Sequence, residues 1–594
     1  MALLRIKSPI GGTLIEVLVS DGESVANGQV IAIVEAMKME HEICTPNSGQ
    51  VLQCFVKKGD LIRADEPLFE VAAQDQEVES IPTTAASAAL KRSEDTNTAI
   101  PRPELVAMQS RIAMTLDQAR PQAVQKRHAL TLRTARENLM DLCDPDSFVE
   151  FGALTFAAQE QRRSKEDLIA NTPADGLVAG LAKVNGVQCA VMAYDATVLA
   201  GTQGFRNHQK TDRLLGIAKA QLLPVVLFAE GGGGRPGDVD MPIVAGLHIT
   251  AFAKLAKLAG VVPLIGIAAG RCFAGNAALF ACCDVRIACA SANIGMGGPA
   301  MIQGGGLGQF SPEQIGPAIE QSTNGVIDFL ADDEAHAVTL TKALLALMTS
   351  KKIPKATAAD QVVLREAVPS NRLRSYDIKN IVLTVLDHDS MLEVKRDFGL
   401  SVVTMLGRIG GLAIGVIANN PVYLGGAIDP NAASKLTDFL RYCERYDCPI
   451  VSLIDTPGFM VGPSIEAQGQ VRFAGQLFIQ TAKLSQKFVA VVVRKGYGLG
   501  AMAMAAGGFH ETTATLAWPT AEFGAMGLEG AVRLGYKKEL EAITDPAQRE
   551  LLFAKLLSEQ IEQGGALRMA ETLEIDAIID PADTRETLIK LLVN

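Results

Sequence analysis

Residues 30–40 read Val-Ile-Ala-Ile-Val-Glu-Ala-Met-Lys-Met-Glu. On both sides of this segment, short runs of Val, Ile and Leu alternate with Gly, Asp and Asn, which is typical of short strands joined by tight turns. Landmarks before it recur after it at a constant spacing of 37 residues: Pro9, Gly12, Gly22, Ile31 and Val34 return as Pro46, Gly49, Gly59, Leu68 and Val71. The pattern predicts a small all-β domain over residues 1–74, made of two interlocked half-sheets about a pseudo-twofold axis.

Lys38 lies in the turn that joins the two halves of this repeat. A lone lysine in a turn is usually only a solvated side chain, but the repeat and the hexapeptide 35–40 are both centred on Lys38. The hexapeptide resembles the biotinyl domain of biotin-dependent carboxylases, whose acceptor lysine lies in an Ala-Met-Lys-Met hairpin. Lipoyl domains share the symmetry but place Asp-Lys-Ala at the tip, so Met37 and Met39 favour biotin. The resemblance implies a flattened β-barrel that carries biotin covalently at Lys38.

Residues 75–103 are rich in Gln, Ser, Thr, Ala, Asp and Pro, and they hold too few large apolar side chains to bury a core. We expect a flexible linker there. About thirty such residues span roughly 30 Å root-mean-square and on the order of 100 Å when extended. A domain on this tether could visit two separate active sites, or the segment could be a plain spacer between domains.

A second, larger repeat follows a helix-like stretch at about 104–142. Its landmarks recur at a spacing of 225 residues: Asp195, Gly201, Pro224, Glu230 and Gly275 meet Asn420, Gly426, Pro449, Asp455 and Gly500. Each half runs through alternating strands and helices, which predicts layered α/β domains. Two homologous domains should therefore pack as a pseudo-symmetric pair.

Three separate motifs support a second resemblance, which covers about residues 125 to 580. They are the segment 142–150 (Leu-Cys-Asp-Pro-Asp-Ser-Phe-Val-Glu), the turn 454–459 (Ile-Asp-Thr-Pro-Gly-Phe), and Trp-Pro-Thr-Ala at 518–521 followed by Met-Gly at 526–527. Together they are similar to the carboxyltransferase subunits of acyl-CoA carboxylases. The resemblance implies two crotonase-like domains, 104–355 and 356–594.

Carboxyl transfer explains the abundance of glycine-rich turns. The reaction places negative charge on the thioester oxygen of the acyl-CoA and on the ureido oxygen of biotin, and main-chain N–H groups stabilise such oxyanions. Glycine lets the backbone approach closely. The segment 271–277 matches the family's Ala-Gly-Gly segment at the acyl-CoA oxyanion hole, so the resemblance assigns the amides of Gly275 and Asn276 to the thioester oxygen. The family often has Gly where Asn276 stands.

In the second half, the segment 497–502 (Tyr-Gly-Leu-Gly-Ala-Met) matches the family's biotin cradle. The resemblance assigns the donor amides to Leu499 and Gly500 and a biotin contact to Ala501. The 225-residue spacing brings Ala274 onto Leu499 and Gly275 onto Gly500. The alternative is that both turns serve only tight packing in a Gly-rich core.

The loop 230–238 occupies the place of the family's Asp-Ser-Gly-Gly loop near the coenzyme A pocket, which makes Gly233, Gly234 and Arg235 candidates for substrate binding. Its match to G-x-G-x-x-G is weak, since Pro236 interrupts it. Coenzyme A phosphates need Arg or Lys, and the candidates are Arg136, Arg206, Lys210 and Arg235. Any one of these is more often a solvated surface charge.

The sequence also favours one class of acyl group. Propionyl-type relatives commonly carry Asp at the place of Met502, and methionine makes a pocket more apolar and deformable. The glycine-rich segments look closest to single-chain bacterial long-chain acyl-CoA carboxylases. We therefore expect medium or long acyl chains, with a range that could include short ones, unless Met502 is ordinary core.

Composition restricts the partners. The net charge of −11 argues against nucleic acid. No signal-like or bilayer-length apolar run is present, so we expect no membrane partner and a cytoplasmic protein. The cysteine and histidine spacing predicts no metal site. The absence of a G-x-x-x-x-G-K-[ST] loop predicts a separate biotin carboxylase subunit, and a biotin protein ligase would act on Lys38. The resemblance implies a homohexamer, a trimer of dimers.

The sequence thus predicts the biotin-carrying carboxyltransferase component of an acyl-CoA carboxylase, which moves CO2 from carboxybiotin to the α carbon of an acyl-CoA. One alternative is a subunit of a biotin-dependent acyl-CoA decarboxylase, which runs the transfer backwards. Another is a non-catalytic biotin carrier that acts as an assembly scaffold. The two oxyanion turns argue against the scaffold.

Overall fold

The structure, a computed structural model, describes residues 2–73, 102–235, 237–240, 244–350, 352–354 and 357–593. The chain divides into two compact units, Met1–Ile100 and Pro101–Asn594. The predicted linker falls largely on residues 74–101, which lie outside the described residues, as do residues 355 and 356 at the predicted boundary between the two larger domains. These boundaries stay predictions.

Residues 2–73 of the first unit form eight strands, arranged in two antiparallel four-stranded sheets with the orders β1-β8-β6-β3 and β5-β4-β2-β7. Their bounds are β1 Ala2–Lys7, β2 Gly12–Val17, β3 Ser24–Val25, β4 Val30–Ala36, β5 Met39–Cys44, β6 Gly49–Cys54, β7 Leu61–Ile62 and β8 Pro67–Ala73. A shift of 37 residues maps β1 to β4 onto β5 to β8 and exchanges the two sheets. The predicted interlocked half-sheets are therefore confirmed.

The core of this unit follows the same symmetry. Buried side chains pair at the 37-residue spacing, as in Leu14 with Val51 and Ile31 with Leu68. Gly12 and Gly49 are also equivalent: an added Cβ would come within 2.2 Å of the Glu35 carbonyl oxygen at Gly12 and within 2.4 Å of the Ala72 carbonyl oxygen at Gly49. Both positions need glycine because a neighbouring strand passes too close for a side chain.

The first elements described in the second unit are three helices between Pro103 and Leu142, where the sequence predicts a helix-like stretch. The elements of its first half are α1 Pro103–Ala113, α2 Pro121–His128, α3 Ala135–Leu142, β9 Val149–Glu150, α4 Lys165–Asn171, β10 Leu177–Val184, β11 Val187–Tyr194, α5 Phe205–Gln221, β12 Val225–Phe228, α6 Ala251–Ala256, β13 Leu264–Ala268, β14 Arg271–Phe273, α7 Gly275–Ala281, β15 Val285–Cys289, β16 Asn293–Gly295, α8 Pro299–Gly304, α9 Ala318–Thr323, β17 Phe329–Ala331 and α10 Glu334–Thr349.

The second half repeats this order and adds a group of helices near its end. Its elements are α11 Lys379–Val385, β18 Leu392–Glu393, β19 Val402–Ile409, β20 Leu412–Asn419, α12 Pro430–Arg445, β21 Ile450–Thr456, α13 Pro463–Glu466, α14 Gln470–Thr481, β22 Phe488–Tyr497, α15 Gly498–Met504, β23 Ala514–Ala517, β24 Glu522–Gly524, α16 Leu528–Gly535, α17 Lys537–Ala542, α18 Pro546–Gln563, α19 Ala566–Glu571, β25 Ala577–Ile578 and α20 Thr584–Leu592.

Each half is organised around one mixed sheet. The first has the order β17-β15-β13-β12-β11-β10-β9, with β14 and β16 paired separately. The second follows the path β18-β19-β20-β21-β22-β23-β25, with β24 beside β22. In both sheets one antiparallel hairpin, β10-β11 or β19-β20, leads into parallel strands connected by helices. This agreement in topology confirms the predicted pair of homologous α/β domains.

The spacing between the halves changes by one residue along the chain. In the first sheet, Val225 of β12 pairs with Leu264 of β13. In the second sheet, Ile450 of β21 pairs with Phe488 of β22. Residues 225 and 450 differ by 225, whereas residues 264 and 488 differ by 224. The connection from β21 to β22 is therefore one residue shorter than its counterpart, and everything directly after it is displaced by one position.

The two halves stack head to tail, which means that the two sheets meet through non-equivalent faces. One continuous core joins Val226 of β12 and Ile450 of β21, and it also takes in side chains of α3, α10 and α12. The other face of the first sheet packs against α5, α6 and α7. The other face of the second sheet packs against α11 and α20. Equivalent helices therefore lie on different sides: α5 is outside the pair, and α12 is between the sheets.

Among the described residues, none of the helices is both long enough and apolar enough to serve as a membrane span.

Candidate active site

Lys38 is at the tip of the β4-β5 hairpin. Ala36 pairs with Met39, which leaves Met37 and Lys38 as a two-residue turn with φ of 51° and 65°. Two positive φ values define the type I′ turn, which matches the strand twist but usually requires Asn-Gly. Met37 is 97% exposed, and Lys38 is exposed as well. A strained turn of bulky residues thus presents the lysine to solvent.

The first candidate turn joins β14 to α7. Ala274 has φ 49° and ψ −116°, a conformation that L side chains rarely adopt. Its N–H donates to the Gly295 carbonyl and its carbonyl accepts from the Ala278 N–H. In the part of the chain that the structure describes, no acceptor is found for the amides of Gly275 and Asn276. Gly275 is partly exposed, whereas Asn276 is buried. The turn therefore offers two main-chain donors, of which Gly275 is the more accessible.

The second candidate turn joins β22 to α15 and has the same form. Gly498 has φ 56°, and among the described residues the amides of Leu499 and Gly500 also lack acceptors. Leu499 is 62% exposed, and Gly500 is buried. In each half, a donor residue that is at least partly exposed is thus followed by one that is buried.

The structure corrects the alignment of these turns. The sequence spacing of 225 places Ala274 on Leu499 and Gly275 on Gly500. The residue of positive φ at the start of each helix is Ala274, directly before α7, in one half and Gly498, the first residue of α15, in the other. The reason for the correction is the shorter β21-β22 connection. The donor pairs are unchanged, but Gly275 corresponds to Leu499 and Asn276 to Gly500.

The Asn276 side chain holds the glycine-rich loop in place. Its Nδ2 donates to the carbonyl oxygens of Gly232 at 2.8 Å and Gly201 at 3.0 Å, and its Oδ1 accepts from Gln203 at 3.2 Å. The side chain is completely buried. Its role, which the sequence could not predict, is to satisfy carbonyl groups beneath the loop that would otherwise be buried without partners.

Gly233 and Gly234 line the same region, and Arg235 does not. An added Cβ on Gly233 would approach the Ala274 Cβ to 2.7 Å, so the loop lies against the first turn. Arg235 turns inward instead, where it pairs with Asp175 at 2.5 Å and donates to the Thr202 carbonyl at 2.9 Å. The Arg235 guanidinium therefore holds the loop from below, and this burial does not favour a contact with coenzyme A.

The other predicted phosphate ligands are also engaged elsewhere. Arg136 pairs with Glu150 at 2.8 Å and Arg206 with Glu160 at 2.9 Å. Lys210 donates to the carbonyls of Ala174 and Leu177 inside the domain. Burial lowers the pKa of Lys210 to about 8. Its assignment to substrate stays a prediction that these contacts do not favour.

The second half carries the same buried lysine. Lys435 stands on α12 where Lys210 stands on α5, and it donates to the Val402 carbonyl at 2.9 Å, the counterpart of the Leu177 carbonyl. Burial lowers the pKa of Lys435 to about 7. A lysine that recurs with the same acceptor in both halves is part of the fold rather than of one substrate site.

A cleft of about 1390 Å³ opens beside Ala274 and the glycine-rich loop. Its basic wall contains Arg120, Lys126, Arg127 and Arg271. Arg127 makes a bidentate pair with the buried carboxylate of Glu230 at 2.6 and 2.5 Å. Lys126 is exposed, and no ion pair to it is found among the described residues. Lys126 and Arg127 were missed because helix α2, which carries them, has no recognisable motif.

One feature of the sequence could have identified Glu230 as a site residue: the repeat aligns Glu230 with Asp455. Both acids are buried at the carboxyl end of equivalent strands, and each binds an arginine: Arg127 for Glu230, and Arg494 for Asp455 at 3.0 Å. Tyr376 also donates to Asp455 at 2.9 Å. Burial raises the pKa of Glu230, although Arg127 opposes this.

Within the described residues of one chain, the cleft beside the first turn does not include the second turn. The residues that line the cleft lie between Ala119 and Glu313, and none of the second-half candidates is among them. The cause is the head-to-tail stacking, which places α7 on the outer face of the first sheet and α15 on the inner side of the second. Ala501 faces that inner core, whereas Met502 is 40% exposed. Met502 is therefore not an ordinary core residue.

The chain matches two family models. One is described as the carboxyl transferase domain and matches residues 126–593, and the other is described as biotin-requiring enzyme and matches residues 4–71. The chain is 31% identical to the methylmalonyl-CoA carboxyltransferase 12S subunit of Propionibacterium freudenreichii subsp. shermanii over 71% of this chain and 81% of the relative. It is 29% identical to the biotin-dependent long chain acyl-coenzyme A carboxylase beta4 subunit of Mycobacterium tuberculosis over 73% of this chain and 83% of the relative.

Solved structures give the same result. A single-chain, multi-domain long-chain acyl-CoA carboxylase has a TM-score of 0.80 and 47% identity, and the match covers 99% of this chain. The chain spans 56% of the length of that protein. The transcarboxylase 12S hexamer has a TM-score of 0.74 and 28% identity over 83% of this chain and 96% of the relative.

Proposed function

Since this chain belongs to the carboxyl transferase family and carries a domain of the biotin-requiring enzymes at residues 4–71, we propose that it transfers a carboxyl group between biotin at Lys38 and the α carbon of an acyl-CoA. The observation that carries the proposal is the pair of equivalent turns, one in each half, whose amides have no acceptor among the described residues. Two transient oxyanions, one on each reactant, call for two such turns.

The residues fit both groups. Lys38 is exposed at a hairpin tip, where an amide bond to biotin can form without unfolding the domain. The amides of Gly275 and Asn276 hold the charge that develops on the thioester oxygen. The amides of Leu499 and Gly500 hold the ureido oxygen, with Ala501 beside them. Bound biotin supplies the carboxyl group and a basic nitrogen, while the chain contributes position and main-chain donors.

The cleft of the first half is the acyl-CoA site of this proposal. Gly233 and Gly234 line it next to Ala274, and Lys126 reaches it without an ion-pair partner among the described residues. A free ammonium group is suited to a phosphate of coenzyme A, so Lys126 replaces the buried Lys210 and Arg235 as the preferred ligand. The partly exposed, apolar Met502 of the second half favours medium or long acyl chains.

The same geometry supports an active site shared between subunits. Because the cleft beside the first turn does not include the second turn of the same chain among the described residues, the active site combines the first half of one subunit with the second half of another. The 12S relative is a hexamer, and we extend that assembly to this chain as a trimer of dimers. A biotin carboxylase, a biotin protein ligase and a cytoplasmic location belong to the same proposal.

The decisive test is to mix the biotinylated protein with a biotin carboxylase, ATP and bicarbonate, and to measure carboxylation of acyl-CoAs of increasing length. Lys38→Ala should abolish overall carboxylation, and Lys58→Ala, an exposed lysine of the same domain, should leave it unchanged. Full activity of Lys38→Ala, or an unmodified Lys38 in intact-mass analysis of cellular protein, would contradict the proposal.

The same assay separates the alternatives. A decarboxylase subunit would release CO2 from a 2-carboxyacyl-CoA in company with a membrane partner and would gain nothing from a biotin carboxylase. A carrier scaffold would accept biotin at Lys38 but would transfer no carboxyl group to any acyl-CoA. Retention of both donor turns favours transfer over the scaffold.

A further inference from the structure

A polar network lies directly before the second turn. Tyr497, the last residue of β22, donates its hydroxyl to Glu522 at 2.7 Å. Arg372 donates to the same carboxylate oxygen at 3.0 Å and to Glu529 at 2.5 Å. Gly498 follows Tyr497 in the chain. The network thus ends one residue before the turn that contains the Leu499 and Gly500 amides.

The network is mostly shielded from solvent. Tyr497 is 2% exposed and Glu522 is 6% exposed, so the carboxylate depends on the tyrosine hydroxyl and the guanidinium for its hydrogen bonds. Burial and the neighbouring Glu522 carboxylate raise the pKa of the Tyr497 phenol well above its usual range. The phenol therefore keeps its proton at neutral pH and donates it to Glu522.

The first half has the same strand pairing without the network. Lys495 pairs with Glu522 and Tyr497 with Gly524, as Arg271 pairs with Asn293 and Phe273 with Gly295. Phe273 thus takes the place of Tyr497, and Asn293 takes the place of Glu522. Asn293 donates to the carbonyls of Glu313 and Ile315 instead. Among the described residues, Asn293 therefore forms no ion pair at the place where Glu522 binds Arg372 in the second half.

We propose that Arg372, Glu522 and Tyr497 are positioning residues for the biotin side of carboxyl transfer. Their contacts fix the end of β22, and through it the direction of the Leu499 and Gly500 amides. This proposal rests on the assignment of the second turn to biotin made above. It adds three residues that touch neither substrate and act only through the turn.

The physical reason lies in the sensitivity of main-chain donors to position. An oxyanion hole stabilises charge only when its N–H groups are held at hydrogen-bond distance and direction, and a misplacement of about 1 Å can cost roughly 100-fold in rate. Gly498 adopts a left-handed conformation and offers no side chain to hold the turn. Tyr497 is the nearest upstream residue that can anchor it.

Arg372 also neutralises a charge of the wrong sign. The Glu522 carboxylate lies one strand away from a turn that must stabilise an anion, and an unpaired buried carboxylate there would oppose that anion. Arg372 belongs to the segment before α11, and Glu529 belongs to the first turn of α16. The network therefore joins three stretches that are far apart in the sequence.

The test uses the full chain in the reverse direction, with free biotin as acceptor and a 2-carboxyacyl-CoA as donor: malonyl-CoA, methylmalonyl-CoA and a long-chain analogue. Tyr497→Phe removes the hydroxyl group, and Glu522→Gln removes the negative charge. Arg372→Gln removes the positive charge, whereas Arg372→Lys keeps it. Arg365→Gln is the matched control, since Arg365 lies in the same segment and pairs with Asp580 on the surface.

We expect Tyr497→Phe and Glu522→Gln to lower kcat/KM for free biotin by about tenfold or more, while KM for the CoA thioester stays within about twofold. Arg372→Lys should recover part of the loss seen in Arg372→Gln. An equal loss for both substrates, or no loss in any variant, would overturn the proposal. If the melting temperature shows that Tyr497→Phe does not fold, Arg372→Gln tests the same network. Arg372 is partly exposed, so its substitution should disturb the fold less.

The wild-type protein separates this idea from the proposed function. If wild type transfers no carboxyl group from any of the three thioesters to biotin, the proposed function fails first. If wild type is active and the variants show no selective loss on the biotin side, only the positioning role fails.

Discussion

The two turns have one backbone shape and two means of support. In the first half, Ala274 adopts a strained conformation and Asn276 sends its side chain to three carbonyl oxygens. In the second half, glycine occupies both places, and the backbone of Gly500 packs directly on Gly458. A duplicated fold has therefore kept the donors and replaced what holds them.

The difference shows which features the chemistry constrains. Main-chain N–H groups are present at the same places in both halves, whatever the side chains. The support around them is free to change, provided that buried polar groups stay paired and backbones do not collide. Four experiments test this interpretation of the two turns, and they are described in order of decreasing expected effect.

Gly500→Ala should cause the largest loss. An added Cβ would lie 2.6 Å from Gly458 Cα and 2.7 Å from Gly458 C, both backbone atoms that cannot move aside cheaply. We expect transfer to free biotin to fall by about 100-fold, since the turn must shift. Gly475→Ala, on helix α14 with nothing within 4 Å of the added Cβ, is the control and should keep full activity. Wild-type transfer in Gly500→Ala would mean that the second turn is not held by this contact.

Asn276→Ala should mainly affect stability and the CoA side. It leaves the Gly201, Glu230 and Gly232 carbonyls without their buried donor, which should lower the free energy of unfolding by about 2 kcal/mol. Denaturant titration measures this loss, and KM for the CoA thioester should rise while KM for free biotin does not. A rise in both KM values would show that the two halves are not independently supported.

The buried lysines should distinguish the halves by pH. Unfolded Lys435 keeps its proton up to a pKa near 10.5, but folded Lys435 loses it near 7. Between these values the unfolded chain binds more protons, so the stability of the folded state rises with pH and is lost again as pH falls toward 7. One lysine contributes at most about 1.4 kcal/mol per pH unit.

Lys435→Met should therefore flatten the increase in stability from pH 7 to 8, measured by denaturant titration at each pH. Lys210→Met should keep that increase, because the pKa of Lys210 is lowered only to about 8 and its window begins there. Identical pH profiles for the two variants would show that the halves do not differ in this respect.

The smallest effect should come from exchanging the residues of positive φ. Ala274→Gly removes backbone strain at φ 49°, and we expect the free energy of unfolding to stay level or to rise by about 0.5–1 kcal/mol. Gly498→Ala should do the opposite, since its Cβ would also approach the Ala525 carbonyl oxygen to 2.8 Å. Thermal denaturation of both variants decides this, and stabilisation by Gly498→Ala would contradict the equivalence of the turns.

The sequence predicted the parts of this molecule that repeat or lie close together in the chain. The hairpin at Lys38, the 37-residue symmetry and the two α/β halves all follow from local patterns, and the structure confirms them. The one-residue slip was not predictable, because a constant spacing fits every landmark as far as β21. Strand pairing was needed to locate the shorter connection.

Side-chain partners were the least predictable feature. Arg235 and Lys210 looked like phosphate ligands because only their charge is visible in a sequence, whereas the structure buries both against acids or carbonyls. Arg372 gave no signal, since its partners Glu522 and Glu529 lie more than 140 residues away. Contacts between distant segments depend on the complete fold and leave no local pattern.

The hairpin that carries Lys38 also limits how the first unit can evolve or be engineered. Ala36 and Met39 face each other across the tip, so one inserted residue would shift the register of β5 and turn its alternate side chains over. Ile43, buried at 3% exposure, would then point to solvent. Surface substitutions on these strands should be tolerated far better than any change in the length of the tip. Libraries built on this domain should vary its side chains and keep the number of residues between β4 and β5 fixed.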